Sequence, residues 1–319
     1  MNLTKPSLSI LLPTWNGEED LRRLLPALDS QDYEGEREVL AIDSSSTDAT
    51  VSLLKEAGVD VEIISQSEFG HGATRNRLAA KAKGEVLVFL SQDALPASDD
   101  FLQELVSALD EEQVAGAYSR ILPHPDDDPL TARTVLSAPE ADEEGTPWEP
   151  MDPALVWELP TEQMMARLRF NNVASAVRAP IFREIQFPEL PFGEDFAWAA
   201  RVTQAGYRIR FAPKSLVYHA HRYTPSQAFA RYKLDAAFHR EIHGLRLRPS
   251  FFSVMRGIGY EVREDLRYVL GSGGGAPLHH LLRSPALRTA QVLGQFWGSR
   301  GWGEDFWPDK GAQTPGSAS

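Results

Sequence analysis

The chain of 319 residues has no cysteine, which excludes a disulfide framework and any thiolate metal or redox centre and fits a cytoplasmic location. It has no apolar run of the roughly 18 residues needed to cross a bilayer. The apolar residues 8–12 are too few, and too soon followed by Pro13, to be a secretory signal. Positive charge is scarce. Against 45 acidic residues there are 32 Lys plus Arg, a net charge of −13, and that argues against a general nucleic-acid binder. No GxGxxG follows the first apolar run, which disfavours a dinucleotide oxidoreductase. Residues 13–17 carry no Lys or Arg, which disfavours a nucleotidyltransferase, whose first loop would have to hold a triphosphate. The charge is also uneven: residues 126–162 are crowded with acids, and arginines dominate from 240 to 300.

What is present is an alternation of short apolar runs and helical patterns. Residues 8–12, 39–42, 59–64 and 86–90 read as strands, with helices between them and another near 100–109. This alternation predicts an α/β fold with a doubly wound, mainly parallel sheet. The run Val86–Leu90 is continuously apolar, as in a strand covered on both faces. Beyond 122 the pattern changes. Residues 123–160 read as an acidic, proline-scattered excursion or lid. A helix opens at Glu194-Asp195, short strands follow at 207–211 and 216–218, and a long helix runs to about 243. The expected organisation is one α/β domain over 1–245, a helical C-terminal extension over 246–310, and a disordered tail over 311–319.

Chemistry gathers at the C-terminal ends of the strands, where open α/β sheets bind ligands. Asp93 follows the fourth strand and is placed to hold a cation. Asp43 ends the second strand, where a carboxylate can accept hydrogen bonds from a base or a ribose. Gly70 and Gly72 precede Arg75 at a helix start, an arrangement suited to a diphosphate. Glu194-Asp195 offers a general base. His219 and His221, spaced to put both rings on one face of an extended segment, can complete a cation site with Asp93. Each feature has a plainer alternative: a helix cap, acids favoured by a helix dipole, or a surface histidine.

Taken in order, these segments resemble the family 2 glycosyltransferases of GT-A fold, and within them rhamnosyltransferase-like members. The likeness rests on SILLPTWN at 9–16, AIDSSSTD at 41–48, GATRN at 72–76, SQD at 91–93, GED at 193–195 and YHAHRYT at 218–224. It implies inverting transfer of a sugar from a nucleotide-diphosphate donor, dTDP-rhamnose or a UDP-sugar, to a glycan or lipid-linked acceptor in cell-surface polysaccharide synthesis. Pro13, Thr14, Asn16, Asp43, Ser45, Arg75, Gln92 and Asp93 are then assigned to the donor. Asp93, His219 and His221 go to Mn²⁺ or Mg²⁺, Asp195 is the base, and Glu194 tunes it or binds the acceptor. Two positions depart from the family pattern. Ser91 stands for the first acid of the DxD motif, and Ser44 for the second acid of the nucleotide segment. The alternative reading is a non-catalytic nucleotide-sugar-binding protein. Residues 277–300, apolar with interleaved arginines, have two readings: their apolar side packs onto the main domain, which is preferred, or they make peripheral contact with the inner face of a membrane.

Overall fold

The computed structural model describes residues 5–143, 151–271 and 278–300. The expected tail at 311–319 lies outside them, as does 144–150 of the acidic segment. Two compact units form: Met1–Leu122 with Ala138–His219, and Pro123–Ser137 with Ala220–Ser319.

The first unit is built on one eight-stranded sheet. Strands β1 (Leu8–Thr14), β2 (Arg37–Asp43), β3 (Asp60–Ile63) and β4 (Val86–Leu90) are joined by helices α1 (Glu18–Asp29), α2 (Thr50–Glu56) and α3 (His71–Lys81). Next come β5 (Leu95–Pro96), α4 (Phe101–Ser107) and β6 (Val114–Leu122). After α5 (Pro129–Leu136), an element of the second unit, the first unit resumes with α6 (Thr161–Arg167) and closes with β7 (Ala174–Arg178), α7 (Ala179–Glu184), α8 (Glu194–Gln204) and β8 (Arg208–Tyr218). The sheet order is β3-β2-β1-β4-β7-β6-β8-β5. The first four strands are mutually parallel, and β7 runs antiparallel between β4 and β6.

Pleating explains the double winding. Along β4, Val86, Val88 and Leu90 join Ile10 and Leu12 under Leu21 and Leu24 of α1 and Phe101 of α4. Leu87 and Phe89 face the other way and pack with Leu11, Leu78 of α3 and Trp198 of α8. Alternate side chains thus feed two cores, as the period of two requires, and β4 is covered on both faces as its composition predicts. The register pairs Thr14 with Asp43 and Leu11 with Phe89, so the loops after β1, β2 and β4 open at the same edge.

Two expectations change. The strands expected at 207–211 and 216–218 are one strand, β8, whose pairing with β6 slips between Ser119 and Arg120. The excursion at 123–160 divides instead of forming one piece. Residues 123–137 carry α5, started by Asp128, whose side chain accepts from the Leu130 and Thr131 amides with Pro129 in the first turn. That cap-and-proline start is a helix signal.

In the second unit, α5 joins α9 (Pro225–His243), α10 (Phe251–Gly271) and α11 (Ser284–Gly298). The unit boundary falls after His219, so α9 goes with the C-terminal helices instead of the domain expected to end at 245. Helix α11 lies close along α9: a Cβ at Gly294 would meet the Phe229 carbonyl at 2.5 Å, and one at Gly298 the Lys233 carbonyl at 2.1 Å. Arg288 of α11 is buried, bonded to both carboxylate oxygens of buried Asp265 at 2.8 Å. Arg288, one of the arginines expected to stand among the apolar residues of 277–300, is therefore taken up inside the unit. Among the described residues no helix is long and apolar enough to cross a membrane.

Candidate active site

The loops after β1, β2 and β4 enclose a cavity of about 430 Å³. Of the expected donor residues, Pro13, Thr14, Arg75, Gln92 and Asp93 line it. Trp15, Ser44, Gln66, Phe69, His71 and Ser91 line it as well, and these the motif reading did not assign. Phe69 and His71 lie directly before the 72–76 segment that carried the resemblance, and aromatic residues beside a phosphate turn were the available signal.

Asp43, Asn16 and Ser45 are not on the cavity wall; they build it. The Asp43 carboxylate is fully buried and accepts from Thr14 Oγ1 at 3.0 Å, the Ser46 amide at 2.8 Å and Ser46 Oγ at 2.6 Å. Three of its roughly four lone-pair sites are thus taken. Asn16 Oδ1 accepts from the Thr47 amide at 2.9 Å, and Ser45 Oγ donates to the Ile64 carbonyl at 2.7 Å. Both residues hold positive φ, 43° and 58°, a conformation that non-glycine residues keep only when their surroundings enforce it. Gln92 clamps the first loop: its Oε1 accepts from the Trp15 amide at 2.9 Å and its Nε2 donates to the Trp15 carbonyl at 3.1 Å. A Cβ on Gly17 would strike that amide at 2.5 Å.

Arg75 reaches from the first turns of α3. Its Nη1 donates to Glu194 Oε1 at 2.9 Å and to the His71 carbonyl at 3.3 Å, with both members of the ion pair almost fully buried. Arg75 Nε is buried and has no hydrogen-bond partner among the described residues. A guanidinium on the cavity wall with a donor to spare is equipped to hold a diphosphate oxygen.

Glu194 and Asp195 open α8 behind Gly193, whose φ of 78° is left-handed and suits a residue without Cβ. Asn172 Nδ2 donates to Glu194 Oε1 at 3.3 Å. Asp195 is partly exposed and accepts from the Asn172 amide at 3.3 Å and the Phe196 amide at 2.8 Å. Burial pushes its carboxyl up to about 7, with repulsion from Glu194 adding and the two amides and Arg75 opposing. The Asn172 carbonyl in turn accepts from Ser91 Oγ at 3.3 Å, so one residue links Asp195 to the end of β4. Ser91, standing where an acid is usual, makes a structural bond instead.

Asp93 Oδ1 lies 3.3 Å from His219 Nδ1. A carboxylate beside an imidazole is a donor pair that suits a divalent cation. His221 belongs to the second unit. The Asp93 charge also helps raise the Asp20 carboxyl, after burial as the larger cause.

The family described as Glycosyl transferase family 2 matches residues 9–177. The chain is 33% identical over 305 residues to an O-antigen chain rhamnosyltransferase, WbaN, of Salmonella anatum, covering 92% of this chain and 91% of the relative. It is 30% identical over 239 residues to a second, RfbN of Salmonella typhimurium, covering 73% and 72%. Among solved structures, a mannosyltransferase from Pyrobaculum calidifontis, in complex with GDP-Man and Mn²⁺, superposes with a TM-score of 0.58. The two are 19% identical, and the match covers 92% of this chain and 86% of that one; it shows the GT-A fold.

Proposed function

The chain belongs to glycosyl transferase family 2, and from that premise we propose that it moves rhamnose from dTDP-rhamnose to a hydroxyl of a glycan or lipid-linked acceptor, inverting the anomeric centre. The observation that carries the reading is the placing of Asp195 beside the Arg75–Glu194 pair, behind a cavity at the strand ends. Arg75 Nε and the α3 N-terminus hold the donor diphosphate. Trp15 and Phe69 offer apolar walls to the base. Asp93 and His219 hold Mn²⁺ or Mg²⁺, which when bound neutralises charge developing on the leaving diphosphate. Asp195 takes the proton of the acceptor hydroxyl as that oxygen bonds to the anomeric carbon and the bond from that carbon to the diphosphate breaks. With its carboxyl pushed up to about 7, Asp195 is a stronger base than an ordinary aspartate near pKa 3.9, yet is largely ionised just above neutrality. The relatives' names support the choice of rhamnose and of O-antigen-like glycan synthesis.

A melting-temperature screen of dTDP-rhamnose, UDP-sugars and GDP-sugars, each with and without Mn²⁺ and Mg²⁺, tests the donor. A ligand at 100 times its Kd stabilises by about 2.7 kcal/mol. The expected result is a metal-enhanced shift with dTDP-rhamnose. No shift with any nucleotide sugar would sink the reading and favour a protein that has lost its donor site.

A further inference from the structure

The arginine-rich apolar surface that the sequence suggested is present, on α10 instead of α11. Exposed positions on α10 recur at helical spacing along one face. Phe251 and Phe252 are 71% and 74% exposed, Met255 55% and Leu270 62%, with Tyr260 and Leu266 also in solvent. The opposite face is used up inside the unit: Val254 and Val269 are buried, and Asp265 and Glu261 pair with Arg133, both at 2.5 Å. Among the apolar residues stand Arg256, Arg263 and Arg267. Beside them Arg248, Arg256, Arg263 and Tyr260 line a cavity of about 520 Å³. The floor is open because Gly257 has no side chain; a Cβ there would press on the Arg248 guanidinium at 3.0 Å. The one acid on this face, Glu264, pairs with Arg263 at 3.2 Å and Arg267 at 2.8 Å. Arg248 and Arg256 have no carboxylate partner among the described residues.

We propose that this face of α10 docks on an anionic lipid bilayer, with Phe251, Phe252, Met255 and Leu270 entering the acyl boundary and the pocket of Arg248, Arg256 and Arg263 receiving a lipid phosphate. Charge complementarity selects the occupant. The chain as a whole carries −13, so a cluster of four arginines with one glutamate is a local reversal, and neutral or basic partners gain nothing from it. Aromatic and aliphatic side chains mixed with arginines on one helical face are what an interfacial helix presents. Docking stands independently of the glycosyl-transfer reading, since it needs no donor, and it would bring the enzyme to a lipid-linked acceptor.

The test is co-sedimentation of the full chain with phosphatidylcholine vesicles, with and without phosphatidylglycerol, at low and high salt. Wild type is expected to pellet with the anionic vesicles and to be released by salt. Phe251→Ser with Phe252→Ser should stay in the supernatant. Arg256→Gln and Arg263→Gln should each weaken binding about fivefold, the loss expected for one arginine near an anionic surface. All four positions are exposed or line the open pocket, so circular dichroism and the nucleotide-induced melting shift should match wild type. Equal binding of the variants and wild type, or no binding of wild type, would overturn the proposal. So would a pocket that binds inorganic pyrophosphate while the protein ignores vesicles, because that is a soluble-anion site.

Discussion

Arg75 and Glu194 form an ion pair of 2.9 Å inside the first unit, joining helices 119 positions apart in the chain. The pair fixes α3 against α8, the helix that carries the proposed base Asp195. Removing one partner strands a buried charge, at a cost of about 3–5 kcal/mol. Arg75→Ala should therefore lower unfolding stability by that order in urea titration. Glu194→Gln should cost less, because its amide can still accept from Arg75. An Arg75→Ala variant as stable as wild type would mean that the pair is open to water.

Asp195 gives a pH signature. Because its carboxyl is raised in the folded protein, the folded state holds a proton in the window between the ordinary aspartate range and about 7. Stability contributed by this group therefore falls as pH rises through that window. Asp195→Asn removes the effect, so its melting temperature relative to wild type should climb between pH 5 and pH 8. A difference that is flat with pH would show an unshifted carboxyl. The same shift predicts that kcat/KM of the wild type rises with pH through about 7, as the base loses its proton.

Gly72 lies where α3 passes the chain before α8. A Cβ there would sit 2.4 Å from the Pro188 carbonyl oxygen, with Glu194 Cβ at 3.5 Å. Gly72→Ala should destabilise by about 1–3 kcal/mol and weaken donor binding, because α3 must move and Arg75 with it. Gly70→Ala, whose added Cβ meets nothing closer than Ala73 Cβ at 3.6 Å, should be near neutral. Thermal melting and nucleotide titration of both variants decide this.

In the second unit Asp265 is wholly buried and bonded to Arg288, Arg133 and Ser284. Arg288→Met alone should cost about 3–5 kcal/mol. Adding Asp265→Leu should restore part of it, because no charge is then left without its main partner. A double variant worse than the single would show that packing volume, not charge, governs the site.

The strand ends were legible because a continuously apolar run such as 86–90 has few folds open to it, and because a turn such as 70–76 sets arginine at a helix start. Asp43 was legible as an important acid, but its bonding was not. A sequence shows a carboxylate beside serines; it does not show that Thr14 and Ser46 fill its lone pairs. The pairing of Arg75 with Glu194 was hidden for the same reason, since long-range partners leave no local pattern. Helix α5 was missed because acid and proline density around 123–160 masked a short apolar helix with an ordinary Asp-Pro start. The arginines of 240–300 were visible, but only packing separates Arg288, spent on Asp265, from Arg256, which faces outward.

Whether Asp195 is the base is decided by the rate of nucleoside diphosphate release from dTDP-rhamnose with an acceptor present, compared between wild type and Asp195→Asn. Loss of a general base costs about 10²–10⁴ in rate. Asp195→Asn should lower kcat within that range and leave donor affinity, read by the melting shift, unchanged. An Asp195→Asn enzyme turning over near the wild-type rate would contradict it, and would mean that another group accepts the proton.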